Sequence, residues 1–137
     1  SPVPNLLVGP AGIWILIPFH QSGIIVYDGK KWKADKGGFT QSYMRIFGQE
    51  SMSRPDLDAA AFAEKLTKTL LKEMSEEQIP PIQAALIFTS KAAEVKADDA
   101  PVPTMHLKKL KPFIRQKAKE ASITANEIKA VNKALSA

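Results

Sequence analysis

Apolar and polar positions predict a group of strands near the start of the chain. Leu6–Val8 is a short apolar run, and Ile13–Phe19 is a longer run without a charged residue. A run of that length without charge is typical of a central strand that is buried on both faces. Gly23–Tyr27 is rich in β-branched residues and predicts a third strand, and Lys31–Ala34 predicts the return strand. We therefore predict an antiparallel meander.

Turn residues separate these predicted strands. Gly9-Pro10-Ala11-Gly12 combines a proline, which fixes one backbone dihedral, with glycines that reach unusual ones. Asp28-Gly29 is a strong hairpin signal. The following stretch, Asp35 to Met52, contains Gly37-Gly38 and three aromatic residues and predicts a covering loop with a helical turn.

A long helix and a second buried strand follow. Ser53 is the expected cap, Pro55 suits the first turn, and Asp56 and Asp58 favour the positive end of the helix. The predicted apolar stripe consists of Leu57, Phe62, Leu66, Leu70 and Met74. Ile82–Thr89 predicts a strand. The order strand, helix, strand indicates a crossover and parallel pairing.

The rest of the chain predicts an acidic link, a short strand at Thr104–His106 and two helices. The first helix contains Pro112, which requires that the helix start close to it. The second begins at the capping-box pair Thr124 and Glu127. We divide the chain into a core domain, residues 1–106, and a helical extension, residues 107–137, which packs on the core or follows it.

Composition is that of a folded protein, with 45% apolar and 24% charged residues. The chain has no cysteine, which excludes a disulfide framework, a thiolate zinc site and a cysteine nucleophile. Its longest apolar run is far shorter than the roughly 18–20 residues that span a bilayer. His20 and His106 belong to no spaced ligand cluster, and we expect both to be structural. We predict no metal and no cofactor.

The net charge of +5 is concentrated in the tail. Residues 106–137 carry +6, so the first 105 residues sum to about −1. The candidate contacts with an anionic partner, either nucleic acid or a lipid surface, are Lys108, Lys109, Lys111, Arg115 and Lys117, followed by Lys119. A solvated helix face is the alternative, because lysine dominates and arginine is the better bidentate phosphate ligand. The apolar side of the last helix packs on the domain or on a second copy, which leaves a homodimer open.

The order of three strands, a helix and a buried strand is that of the core of the restriction-endonuclease-like fold. In detail the chain resembles the nuclease-related domain (NERD) family from roughly Val3 to Gln116. The matching segments are Leu6–Ile17, Gly23, Trp32, Arg54–Leu57, Ile82–Thr89, Val102-Pro103 and Leu107–Leu110. The resemblance implies an α/β (α+β) fold with a mixed sheet, an antiparallel meander joined by a crossover helix to a parallel strand, and C-terminal helices.

The resemblance also indicates where an active site would lie. The family has an aspartate just before the first strand, which falls at Pro4 or, with a one-residue slip, at Asn5. Its Glu-x-Lys falls at Ile17 and Phe19. Phosphodiester hydrolysis by this route needs carboxylates to hold Mg²⁺ and a lysine to position water and stabilise the transition state. Pro4, Ile17 and Phe19 supply neither a carboxylate nor a lysine. We therefore expect a catalytically inactive domain that serves as a binding or scaffolding module, with nucleic acid as a candidate partner.

Two other functions stay open at this point. A Mg²⁺-dependent nuclease could use displaced carboxylates from Asp28, Asp35 or Glu50. Because the chain begins without a methionine, a segment upstream of Ser1 could instead anchor a cytoplasmic regulatory domain to a membrane. Without such an anchor we expect a cytoplasmic protein.

Two tryptophans and a lysine cluster have a structural and a functional interpretation each. Trp14 and Trp32 could stack on nucleic-acid bases, but we expect both to be packing residues. Lys30, Lys31 and Lys33 flank Trp32. We expect them to keep the edge of a sheet soluble.

Overall fold

The computed structural model describes residues 3–35, 49–51 and 54–137, and for residues 35 and 49–51 it describes the backbone alone. In these ranges the chain has a mixed α+β fold, as predicted. The strands are β1 (Asn5–Gly9), β2 (Gly12–Phe19), β3 (Gly23–Tyr27), β4 (Trp32–Asp35), β5 (Gln49–Ser51), β6 (Ile82–Phe88), β7 (Ala93–Lys96) and β8 (Thr104–His106). The helices are α1 (Pro55–Leu70), α2 (Leu107–Glu120) and α3 (Ala125–Leu135), with a short 3-10 helix at Glu76–Gln78.

The first sheet has the order β1-β2-β6-β8. β1 and β2 are antiparallel across the predicted turn, where Gly12 has a φ of +99°. A Cβ at this position would approach the backbone oxygen of Pro81 to 3.3 Å, so the turn needs glycine here. β6 is parallel to β2, and α1 makes the connection between them, which confirms the predicted crossover. β8 adds parallel to β6.

The second sheet has the order β5-β4-β3-β7. The prediction of a single antiparallel meander is therefore wrong. β3 pairs antiparallel with β4 and parallel with β7, and in the described ranges it does not pair with β2. The reason is that β1 and β6 occupy both edges of β2, so the chain must begin a new sheet at β3. The specific restriction-endonuclease-like topology stays a prediction.

The hydrophobic core lies on both faces of the first sheet. Ile15 and Ile17 face α1 and the second sheet, where they pack with Ile25 and Trp32. Trp14 lies on the opposite face, beneath α2. Both faces of β2 are therefore buried, as its uncharged apolar run predicts.

The predicted stripe of α1 holds at four of its five positions, because Phe62, Leu66, Leu70 and Met74 pack against the core. Pro55 lies in the first turn of the helix with Asp56 and Asp58, as expected, whereas Ser53 lies outside the described residues. Leu57 is 56% exposed, and the fully buried positions of the helix are Pro55, Ala59 and Leu70. The prediction is therefore wrong at Leu57 alone, since the small residues Pro55 and Ala59 approach the core at the start of the helix.

Both tail helices pack on the core. α3 begins at the predicted capping box, in which Thr124 Oγ1 accepts a hydrogen bond from the Glu127 backbone N–H, and it buries Val131 against Ile13. α2 begins directly after β8, so Pro112 lies in its second turn rather than at its start. None of the helices in the described ranges is both long and apolar enough to cross a membrane.

Candidate functional site

The three positions that the resemblance assigns to an active site lie close together. Asn5 pairs with Leu16, and continuing this register by one residue places Pro4 opposite Ile17. Phe19 lies two residues further along β2 and therefore on the same face as Ile17. An aspartate, a glutamate and a lysine at these positions would converge at one end of the β1–β2 hairpin.

The side chains found there are part of the hydrophobic core. Ile17 is fully buried, and Phe19 stacks on Phe88 with ring centroids 5.4 Å apart. Pro4 lines a small cavity of about 240 Å³ beside Phe62 and Leu66. Alkyl and phenyl groups cannot replace the hard oxygen ligands of a magnesium ion. The geometry of this end of the sheet serves packing.

The displaced carboxylates do not form a described metal site. Both backbone N–H groups of Lys30 and Lys31 donate to Asp28 Oδ1, at 2.8 and 2.7 Å, and Lys33 Nζ lies 2.9 Å from Oδ2. The Lys31 hydrogen bond, followed by those of Lys33 and Lys30, holds the pKa of Asp28 well below its usual range. Asp28 thus closes the hairpin turn. The side chains of Asp35 and Glu50 lie outside the described residues, and the residues described contain no cluster of three potential metal ligands.

A polar cluster at the carboxyl ends of the parallel strands was not predicted. β2, β6 and β8 end near one another, which brings His20 to Thr89 and His106 to Ser90. His20 Nδ1 lies 2.7 Å from Thr89 Oγ1, and the Thr89 hydroxyl also lies 3.2 Å from the Phe19 carbonyl oxygen, so the imidazole tautomer sets which group donates between His20 and Thr89.

His106 is a structural residue, as expected. Its Nδ1 accepts from the backbone N–H of Lys108 at 3.1 Å and caps α2, while Nε2 contacts the Ser90 carbonyl at 2.8 Å. Both ring nitrogens are therefore engaged. No spacing pattern predicts the contact with Ser90, because it depends on the register of β6 with β8.

Both tryptophans are packing residues, which confirms that prediction. Trp14 and Trp32 are 0% and 1% exposed. Their indole N–H groups donate to the Ala11 carbonyl at 3.0 Å and to Thr104 Oγ1 at 2.9 Å. Neither ring can stack on a nucleic-acid base.

α2 carries four exposed cations along one side. Its apolar residues, among them Leu110, Phe113 and Ile114, pack beneath the helix, and the Phe113 ring meets Trp14 edge-on at 5.2 Å. Exposed positions at a spacing of three, four and four residues form what we call the basic row: Lys108, Lys111, Arg115 and Lys119. At 1.5 Å per residue the row extends for about 16 Å. Within the part of the chain that is described, no acidic residue forms an ion pair with it.

The two remaining predicted contacts differ from the row. Lys109 is exposed on the neighbouring side of α2 and lines a cleft next to Phe113. Lys117 Nζ lies 3.5 Å from Glu120 Oε2 and 5.4 Å from the centre of the Phe113 ring. Hydrogen bonding from Gln116, with Lys117 nearby, lowers the pKa of Glu120. Lys117 is thus partly neutralised, whereas the row is not.

Comparisons with known proteins identify no relative. No family model, curated protein or solved structure matches the chain. The likeness to the nuclease-related family stays a prediction from the sequence pattern.

Proposed function

We propose that this chain is a non-catalytic domain that binds nucleic acid through the basic row of α2. The observation that carries the proposal is an evenly spaced line of four exposed cations on a helix whose opposite face is buried. The sheet holds this line rigidly, so several phosphates can be neutralised at once without ordering a mobile segment.

The position of Lys108 and Lys109 supports a binding role. Both lie in the first turn of α2, which contains no acidic residue. The helix dipole disfavours cations at this end, typically by about 0.3–1 kcal/mol each. These lysines therefore cost folding stability. With a phosphate bound at this end, the two lysines would stabilise the complex instead of destabilising the helix. Helix N-termini attract such anions.

The row suits a nucleic acid better than a lipid surface. A helix that lies in a membrane interface inserts its apolar face. The apolar face of α2 already packs against the sheet, with Leu110 and Ile114 beneath it. A nucleic-acid strand presents a phosphate about every 3.4 Å of duplex axis, so a row of about 16 Å can contact several phosphates.

The uncharged residues at the positions that the resemblance assigns to an active site support a non-catalytic role. Ile17 and Phe19 belong to the core, and Asp28 is engaged by the turn that it closes. We expect labelled duplex and single-stranded DNA to remain intact after incubation with Mg²⁺ or Mn²⁺. Cleavage that Asp28→Asn or Glu50→Gln abolishes would favour a nuclease with displaced carboxylates instead.

Fluorescence anisotropy with labelled DNA tests the binding role. In a Lys111→Glu/Arg115→Glu variant, the affinity for DNA should fall about tenfold or further, because two contacts that attract phosphate become repulsive. Lys129→Glu/Lys133→Glu on α3 is the matched control, since it makes the same change in net charge at exposed positions outside the row. We expect the control to stay within about threefold of wild type, a long-range charge effect.

Two results would contradict the proposal. Equal weakening by both double variants would mean that net charge rather than the row attracts the DNA. Vesicles rich in phosphatidylserine, bound as tightly as DNA and with the same sensitivity to the row variant, would point to a lipid surface.

A further inference from the structure

A cleft adjoins α2 on the side of Lys109 and opens between the outer strands of the two sheets. β7 is the outer strand of the second sheet and β8 of the first. The cleft has a volume of about 630 Å³, within the roughly 300–1,000 Å³ of small-molecule sites. Its walls come from β7 and the turn after it, from β8, and from Lys109 and Phe113 of α2.

Apolar side chains form part of the cleft wall and offer a surface for a flat ring. Val95, Met105 and Phe113 line it together with Ala97, which is 2% exposed. Phe113 is held by its edge-on contact with Trp14, so its position in the wall is fixed by the core. Aromatic and apolar side chains are the surfaces on which unpaired bases stack.

Charge on the two sides of the cleft differs in sign. Lys109 lies on the α2 side, one residue from Lys108 and about 100° around the helix from it. Exposed Glu94 and Asp98 lie on the β7 side. Carboxylates repel phosphate, so a strand following the basic row must keep its backbone at α2. Only its base can then turn past Lys109 into the cleft.

The carboxylates also limit which base fits. An ionised carboxylate accepts hydrogen bonds and donates none. Glu94 contacts Lys96 at 3.5 Å, whereas Asp98 forms no ion pair within the described residues. Asp98 can accept from the exocyclic amino group of cytosine, adenine or guanine, and thymine and uracil have no such group.

Resting on the proposed function, we propose that the cleft binds one unpaired nucleobase bearing an exocyclic amino group, from a single strand whose phosphates lie on α2. A base in a duplex is stacked and paired and cannot enter without being extruded. The domain therefore prefers single strands to duplexes, and amino-bearing bases to thymine or uracil.

The test compares labelled oligo(dC), oligo(dT) and a mixed-sequence duplex, each of about 15 nucleotides, by anisotropy with the full chain. Oligo(dC) should bind about fivefold more tightly than oligo(dT), the effect of one hydrogen bond to a charged group at a wet site. Asp98→Asn should bring this ratio close to one. Asp99→Asn is the matched control, because Asp99 is exposed and adjacent but does not line the cleft.

The outcomes separate this inference from the proposed function. The cleft proposal fails if all three DNAs bind equally and Asp98→Asn leaves the oligo(dC) affinity unchanged. If Lys111→Glu/Arg115→Glu still weakens oligo(dC) binding in that case, the proposed role of the basic row is retained. A ratio lost equally in Asp98→Asn and Asp99→Asn also overturns the cleft. Undetectable binding of every DNA at low salt overturns both.

Discussion

Lys108 occupies a position that the helix dipole disfavours, which gives it opposite effects on folding and on binding. Its side chain is exposed, and only its backbone N–H contributes to the cap through His106. Lys108→Glu should raise the free energy of unfolding by about 0.3–1 kcal/mol and weaken DNA binding. Urea denaturation and anisotropy on the same sample measure both. A loss of stability on substitution would mean that Lys108 has a structural role.

Ile17 occupies the position at which the predicted resemblance would place a glutamate. It is fully buried among Ile15, Ile25 and Leu86. Ile17→Glu would bury a carboxyl without a partner and should lower the free energy of unfolding by about 3 kcal/mol or more. Leu6→Glu, on the neighbouring strand but 42% exposed, is the control and should cost far less. Mg²⁺-dependent cleavage by the Ile17→Glu variant, with unchanged stability, would contradict the burial of this position as a purely structural feature.

Asp28 makes a contribution to stability that depends on pH. Hydrogen bonds from Lys31, Lys33 and Lys30 keep the pKa of its carboxyl well below the usual value in the folded state. A carboxyl with a depressed folded pKa stabilises the fold above its unfolded pKa, and that stabilisation is lost as the pH falls further. The stability difference between wild type and Asp28→Asn should be largest near pH 7 and shrink below about pH 4. A difference that grows on acidification, measured by urea denaturation, would show the opposite sign.

At the scale of the element, Pro112 weakens the helix that carries the proposed site. It lies in the second turn of α2, exposed, so it removes the backbone hydrogen bond to the Lys108 carbonyl. Pro112→Ala should raise the free energy of unfolding by roughly 1–3 kcal/mol. Pro103→Ala, outside any helix, should not stabilise the fold. A destabilised Pro112→Ala variant in urea would show that the ring has a packing role.

The elements that sequence predicts well are those with a strong local signal. The uncharged run of β2, the crossover through α1 and the capping box of α3 each depend on residues close in the chain. β7 has only a weak signal, because the alternation of apolar and charged residues in Ala93–Lys96 covers just four positions, and the strand forms by pairing with the distant β3. The division into two sheets also depends on a distant event, the arrival of β6 at the edge of β2.

At the scale of the molecule, the candidate site could be predicted in part. Counting charges identifies the tail, and six of its cations are candidate contacts on sequence grounds alone. Which of them form a row depends on which side of α2 packs on Trp14, and that side is set by the first sheet. The cleft depends on β7 and so could not be foreseen. The burial of Ile17 likewise requires the second sheet, which covers it with Ile25.

The central claim is that rigidly held cations of α2 bind phosphates, and the salt dependence of DNA affinity tests it most directly. Four contacts with single-stranded DNA predict a slope of log affinity against log salt of about −3, measured by anisotropy between about 50 and 200 mM salt. In the Lys111→Glu/Arg115→Glu variant, the slope should fall to about half of that value or less. A wild-type slope near zero, or an equal slope in the variant, would contradict the claim.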